Sequence, residues 1–323
     1  MIRNPILKKE LVLGARTIKL PVALMIYSGI MAGAAMGILN TAVNLTSSYY
    51  GNVLDNYNSL TTSFTLLAVM QLVMICVIVP ILTAGSIAGE RERQTLDIML
   101  TAPISSFSIV MGKLWSAIFN VFLFIICSLP AMSICFLYGG MKWNYLGIFL
   151  VCMLCIAFFD GAIGVWCSAR FRKTIVAVIM TMVIELVFYI GTLVAFVCVY
   201  VYRYEQLVSV RFNGVVDVGP LPLILLLNPA VGFCDTIFAA CTGTRIVDSM
   251  LSGGFFGSIK MSDFISKLIP YWNWISFGVT ILLGLYFVMI ATSRVNSVNR
   301  KEKHVKAKEK KEKKKEKKRK KQE

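Results

Sequence analysis

The chain of 323 residues has one histidine, His304, close to its C-terminal end. Acids are also scarce, with 17 Asp and Glu against 33 Lys and Arg, giving a formal net charge of +16. These shortages exclude several chemistries. With no histidine outside the tail, there is no Ser-His-Asp set and no Cys/His ligand spacing, so no catalytic or metal-binding residue is assigned. A G-x-x-x-x-G-K-[ST] phosphate loop is missing as well. Gly112-Lys113 lacks the preceding glycine spacing and the following hydroxyl, so no cofactor or nucleotide site is expected in this chain. Nine cysteines do not make a disulfide framework, because seven of them, Cys76, Cys127, Cys135, Cys152, Cys155, Cys167 and Cys198, fall inside apolar runs. There they act as small hydrophobes.

Apolar residues are abundant, at 57% of the chain, and they come in blocks. An α-helix needs ~20 residues to cross a ~30 Å hydrocarbon core. Six blocks are long enough: about 20–40, 64–88, 113–137, 145–168, 174–202 and 270–293. The fold class expected is all-α, a polytopic membrane protein of six transmembrane helices. A β-barrel would need ~10-residue strands of alternating polarity instead. Residues 1–19 are basic and amphipathic without a cleavage site, and read as an interfacial elbow helix. Residues 20–293 form the six-span domain, and 294–323 form a basic tail with sixteen Lys and Arg against five Glu. The tail reads as disordered or as a helical extension. Attraction to anionic lipid is one role for it; without interleaved aromatics, nucleic acid is not expected as a partner.

Basic residues near span ends set orientation. Residues 1–19 hold five, 89–113 hold three, and Arg170, Arg172 and Lys173 lie between spans four and five, whereas 41–62 hold none. Both termini are therefore expected in the cytoplasm and segment 203–269 outside. Within that segment, "LPLILLLNPAVGFCDTIFAA" (221–240) is nearly apolar enough for a seventh span. Its Asn228-Pro229 predicts two short helices with a break between them, dipping into the membrane.

The stretch "GERERQTLDIMLTAPISSFSIVMGK" (89–113) puts six ionised side chains and a proline between two apolar runs. Helical spacing places Glu90, Arg93 and Asp97 on one face and Leu96, Met99 and Leu100 on another. A short amphipathic helix over 89–102 is predicted, ended by Ala102-Pro103 and followed by a new helix capped by Ser105 or Ser106. By pattern alone such a helix either rests on lipid or docks into a groove of another protein.

This stretch resembles the signature of type-2 ATP-binding-cassette (ABC) exporter permeases. Glu90, Glu92, Thr95, Leu96, Leu100, Pro103, Ile104, Gly112 and Lys113 carry the resemblance; Gln94 stands where the family usually has glycine. "NPILKKEL" (4–11) and "LLLNPAVGF" (225–233) are similar to bacterial members. The resemblance implies a coupling helix that docks on a separate ABC ATPase subunit, which alone binds ATP. Glu90, Arg91, Glu92, Arg93 and Thr95 are the polar docking residues on this reading, with Leu96, Met99, Leu100 and the corner Pro103 beside them. It further implies a plasma-membrane exporter of bacterial type, working as a homodimer or as a heterodimer with a second permease.

Two acids lie within spans, Asp160 and Glu185, at similar depth on adjacent helices. Intramembrane acids usually face a bundle interior or a polar path. They are candidates for the translocation path, or for proton coupling in a stand-alone secondary transporter, the alternative function. Gly29, Gly33 and Gly37 share one face of span one, a pattern suited to close helix packing within the chain or across a dimer seam.

Overall fold

The computed structural model describes residues 10, 12, 14, 17–48, 53–95, 105–139, 143–209, 216–217, 221–251, 259–260 and 267–319. Six helices in it are long and apolar enough to cross a membrane. In chain order these and their companions are α1 (Lys19–Ser48), α2 (Val53–Glu92), α3 (Ser106–Gly139) and α4 (Asn144–Arg170). Next come α5 (Thr174–Leu186), a π-helical turn (Val187–Gly191) and α6 (Thr192–Ser209), which together make the fifth span. A 3-10 turn (Leu221–Leu227), α7 (Pro229–Thr242) and α8 (Ile246–Leu251) precede α9 (Trp272–Arg319), which carries the sixth span. Two two-residue strands, β1 (Val216–Asp217) and β2 (Ile259–Lys260), pair in parallel.

The expected all-α polytopic architecture is thus observed, with all six runs helical. Span two continues to Glu92 and span three opens at Ser106, so both overrun their apolar cores. Ser105 caps α3 by accepting the Ser108 N–H at 3.2 Å, the position its hydroxyl suits. The 221–240 stretch bends by 91° between the 3-10 turn and α7. Pro229 supplies the fixed backbone at the first helical position, and Asn228 supplies the cap. The backbone of α9 stays helical through Arg319, so the described part of the basic tail extends the last span as a helix.

Span four is the axis of the bundle: 67% of its apolar window is buried, against 17% for spans one and five. Small residues make that position possible. A Cβ on Gly161 would meet Leu114 Cδ1 at 2.9 Å, and one on Gly164 would overlap the Thr83 side chain. Helices α2 and α4 therefore approach closely along this stripe. An apolar core on the α1 side of the axis includes Tyr27, Phe64, Phe124, Phe149 and Phe233. Its rings meet edge to face, Tyr27 on Phe124 at 5.2 Å and Phe149 on Phe233 at 6.2 Å, the arrangement their quadrupoles favour.

The glycine stripe of span one behaves otherwise. Gly29, Gly33 and Gly37 are exposed, and a Cβ on any of them would meet nothing within 4 Å. Packing among the described residues does not use this face. Of the elbow reading, most residues lie outside the described set; Glu10, Val12 and Gly14 are helical.

Candidate functional site

The charged cluster begins where α2 stops. Arg93 N–H bonds to the Gly89 carbonyl at 3.1 Å, Gln94 N–H to Arg91 at 3.2 Å, and Thr95 N–H to Glu90 at 3.0 Å. This nested pair of bonds around a left-handed residue closes a helix and satisfies its last carbonyls. Gln94 is that residue, with φ of 57°. Glycine adopts this backbone without Cβ strain, so the glutamine here is held in a conformation that glycine suits better.

The single amphipathic helix predicted over 89–102 is corrected at its start. Residues 89–92 are the last turn of α2, and the chain turns at Arg93 and Gln94. Glu90 and Arg93 therefore do not open a new helical face with Asp97. Of the docking residues expected from the resemblance, Leu96, Met99, Leu100 and Pro103 lie outside the described residues.

Three of the four charges from Glu90 to Arg93 are engaged inside the chain. Glu90 Oε1 accepts from Lys113 Nζ at 2.8 Å, and the same ammonium reaches Glu10 Oε1 at 3.1 Å. The Lys113 side chain is only 2% exposed, so the lysine of the Gly112-Lys113 pair, in the first turns of α3, is a buried cation held by Glu10 and Glu90. Arg91 donates to the Ala169 and Phe171 carbonyls at 3.4 and 3.5 Å. It thus covers the C-terminal end of α4, where carbonyls lack helical partners. Glu92 accepts from Thr174 N–H at 3.1 Å and from its hydroxyl at 2.6 Å, capping α5 from another helix. A carboxylate at a helix N-terminus is favoured by both the free N–H groups and the dipole. Just above, Ser168 Oγ accepts from the N–H groups of Ile87 and Ala88, each at 2.8 Å. Arg93 and Thr95 are exposed. Together with Glu10, Glu90, Glu92 and Lys113, they line a cavity of about 690 Å³.

A second polar group lies deep in the bundle. Asp160 of α4 is fully buried, and Tyr189 donates its hydroxyl to it, with oxygens 2.9 and 3.1 Å away. Tyr189 sits in the π turn, where the ladder of span five loosens. Its carbonyl accepts from Asn228 Nδ2 at 2.7 Å, and the same amide reaches Thr192 Oγ1 at 2.9 Å. The Asn228 side-chain oxygen accepts from the N–H groups of Ala230 and Val231 at 2.9 and 3.3 Å. One buried asparagine therefore holds the bend before α7 against the π turn, and the π turn's tyrosine holds span four. Glu185 is buried two residues before the π segment, and its Oε1 has no hydrogen-bond partner among the described residues. Asp160 and Glu185 are both buried in the bundle.

The elements between spans five and six are held by similar devices. Asp235 of α7 accepts the Val247 N–H at 2.9 Å, which ties α8 to α7. Arg245 donates to the carbonyls of Ile269 and Pro270 at the start of span six.

Tyr189 and Asn228 were not singled out from sequence as members of the acid cluster. The Asn-Pro pair signals a helix start, but not which distant carbonyl the asparagine amide will reach. No sequence signal marks the π turn that presents Tyr189.

Among the described residues, no group of three or more His, Cys, Asp and Glu could hold a metal ion. Six apolar helices, tied at one end by ionised side chains and in mid-bundle by a tyrosine-carboxyl contact, define a multi-pass α-helical membrane protein. The family model described as ABC-2 family transporter protein matches residues 5–206, from the N-terminal segment nearly to the end of α6, and the chain belongs to that family. Membership makes it a membrane permease subunit of an ABC transporter, and the family implies partnering with an ABC ATPase subunit. A search of curated proteins finds no match. Family membership leaves the stand-alone secondary transporter without support.

Proposed function

We propose that this permease is an exporter subunit driven by an ATPase that docks on the bracket from Glu90 to Pro103. The observation that carries the reading is the set of contacts at the base of the bracket. Glu90 holds span three through Lys113, Arg91 holds the end of span four, and Glu92 caps span five. A force applied between spans two and three is thereby passed to four helices at once. The three engaged charges are the transmission, and exposed Arg93 and Thr95 are left to meet the ATPase, as are Leu96, Met99, Leu100 and Pro103, which follow them in sequence.

On this reading the bracket and both termini face the cytoplasm of a bacterial cell. The open face of Gly29, Gly33 and Gly37 is the seam with a second permease, identical or different. Asp160 and Glu185 border the translocation path, and the basic tail lies on anionic lipid. The experiment is co-purification of the full chain with the ATPase encoded beside it. Retention of the ATPase by wild type and its loss on Arg93→Glu is the expected result. Equal retention by both removes Arg93 from the docking surface, and no retention by wild type overturns the reading.

A further inference from the structure

The polar cavity has an apolar neighbour. A groove of about 310 Å³ is lined by Ala23, Ile26 and Ile30 of α1, Ile78 and Ile81 of α2, and Phe124 of α3. Leu82 lines both the groove and the cavity. Along α2 the two linings together run Ile78, Ile81, Leu82, Gly85, Ser86, Gly89 and Glu90, with Arg93 just past the helix end. These residues follow one helical face at spacings of three and four. That face is apolar as far as Leu82 and polar after it. Ile78 to Glu90 spans ~18 Å at the helical rise, close to the ~15 Å of one hydrocarbon leaflet. The groove is open to lipid, since Ile26, Ile30 and Ile81 are 61%, 43% and 55% exposed. Both volumes are of ligand-pocket size.

The charges define the head group. Among the described residues, three carboxylates, Glu10, Glu90 and Glu92, line the cavity with two cations, Lys113 and Arg93. Lys113 is held between two of the carboxylates. Glu90 Oε2 and Ser86 Oγ are buried and have no donor among the described residues. Acceptors in excess and a net negative lining call for a ligand that brings N–H donors and positive charge. Arg93 is exposed at the mouth, where a guanidinium suits a phosphate.

We propose that this cleft binds a single membrane amphiphile whose head group carries a primary ammonium next to a phosphate, with an acyl chain lying in the α1–α2 groove. The ammonium enters beside Glu90 and Ser86, and the phosphate stays near Arg93. A quaternary ammonium head lacks the N–H donors, and an anionic head lacks the cation. The site goes beyond the docking proposal, because it is complete without an ATPase.

The full-length chain is placed in phosphatidylcholine nanodiscs containing a trace of spin-labelled phosphatidylethanolamine, phosphatidylcholine or phosphatidylglycerol, and the motionally restricted fraction of each label is measured. The phosphatidylethanolamine label is expected to associate roughly tenfold better than the other two, the effect of a charge-assisted hydrogen bond. Ile81→Trp, which fills the groove, and Glu90→Gln, which removes the acceptor charge, should each abolish that preference. If Glu90→Gln does not elute as a folded species, Ser86→Ala and Arg93→Ala take its place, and either should reduce the preference severalfold. Equal association of the three labels with wild type overturns the proposal, as does a preference that survives filling the groove. No ATPase is present, so a failure of docking cannot be confused with a failure of this site.

Discussion

Lys113 Nζ lies 2.8 Å from Glu90 Oε1, although the two residues are separated by a helix end, a turn and the start of another span. The Lys113 side chain is 2% exposed and that of Glu90 18%. A charge so placed depends on its counter-charge, because the desolvation cost remains when the partner is removed. Spans two and three are therefore joined by electrostatics at the level where the bracket begins.

Removing one member should be worse than removing both. Lys113→Met leaves Glu10 and Glu90 facing each other without a cation, with an expected loss of roughly 3 kcal/mol. Glu90→Leu combined with Lys113→Met should recover most of that loss. Thermal unfolding of the purified variants in detergent checks the order; equal loss in single and double variants would show that the pair carries no coupling.

Gln94→Gly should stabilise the chain. The native φ of 57° lies in the left-handed region, where a Cβ costs ~1 kcal/mol or more, partly offset by the greater freedom of glycine in the unfolded chain. A net gain of about 0.5 kcal/mol is expected. Gln94→Val, β-branched at the same position, should lower the midpoint of the same melting curve.

Tyr189→Phe removes the donor that Asp160 holds at 2.9 Å. Loss of a hydrogen bond to a buried carboxyl is expected to cost about 1–3 kcal/mol. Asp160→Asn should be milder, since its amide oxygen still accepts from the phenol. If the Phe variant melts like wild type, the contact does not hold spans four and five together.

Asn228→Ala removes two cap bonds, one bond to the π turn and one to Thr192 at the start of α6 in one step. The cap alone is worth ~1 kcal/mol. Asn228→Asp keeps the acceptor and loses the amide donor, so it should retain the α7 cap but free the π turn. Hydrogen exchange at residues 187–192 separates the two effects: faster exchange is expected in both variants, while exchange at 230–231 should rise only in Ala.

Two glycine substitutions should have opposite outcomes. Gly164→Val drives a branched side chain into Thr83, an overpacking expected to cost ~1–3 kcal/mol or to prevent folding. Gly33→Leu meets nothing within 4 Å, so the melting temperature of the isolated chain should stay near that of wild type. Cross-linking between permease copies should drop if the proposed seam is correct.

Much of this was legible in the sequence because the relevant forces act along the chain. Apolar length fixed six spans, since a backbone in hydrocarbon must satisfy its own hydrogen bonds over ~20 residues. Asn228-Pro229 marked a helix start, and the 91° bend falls there. The acidic-basic run marked the interruption between spans two and three, where the chain turns at Arg93 and Gln94; Pro103 lies outside the described residues.

Tertiary structure alone decided what the charges hold. Glu92 caps a helix whose first residue is 82 positions away, and Arg91 covers a helix end 78 positions away. The glycines of span one and span four have similar spacing in sequence, yet only the span-four stripe packs within the chain. Hydropathy and spacing determine that a helix forms and which residues share a face. The rotation of each helix in the bundle determines what that face meets. That rotation is set by side-chain packing among distant segments, which no local pattern contains.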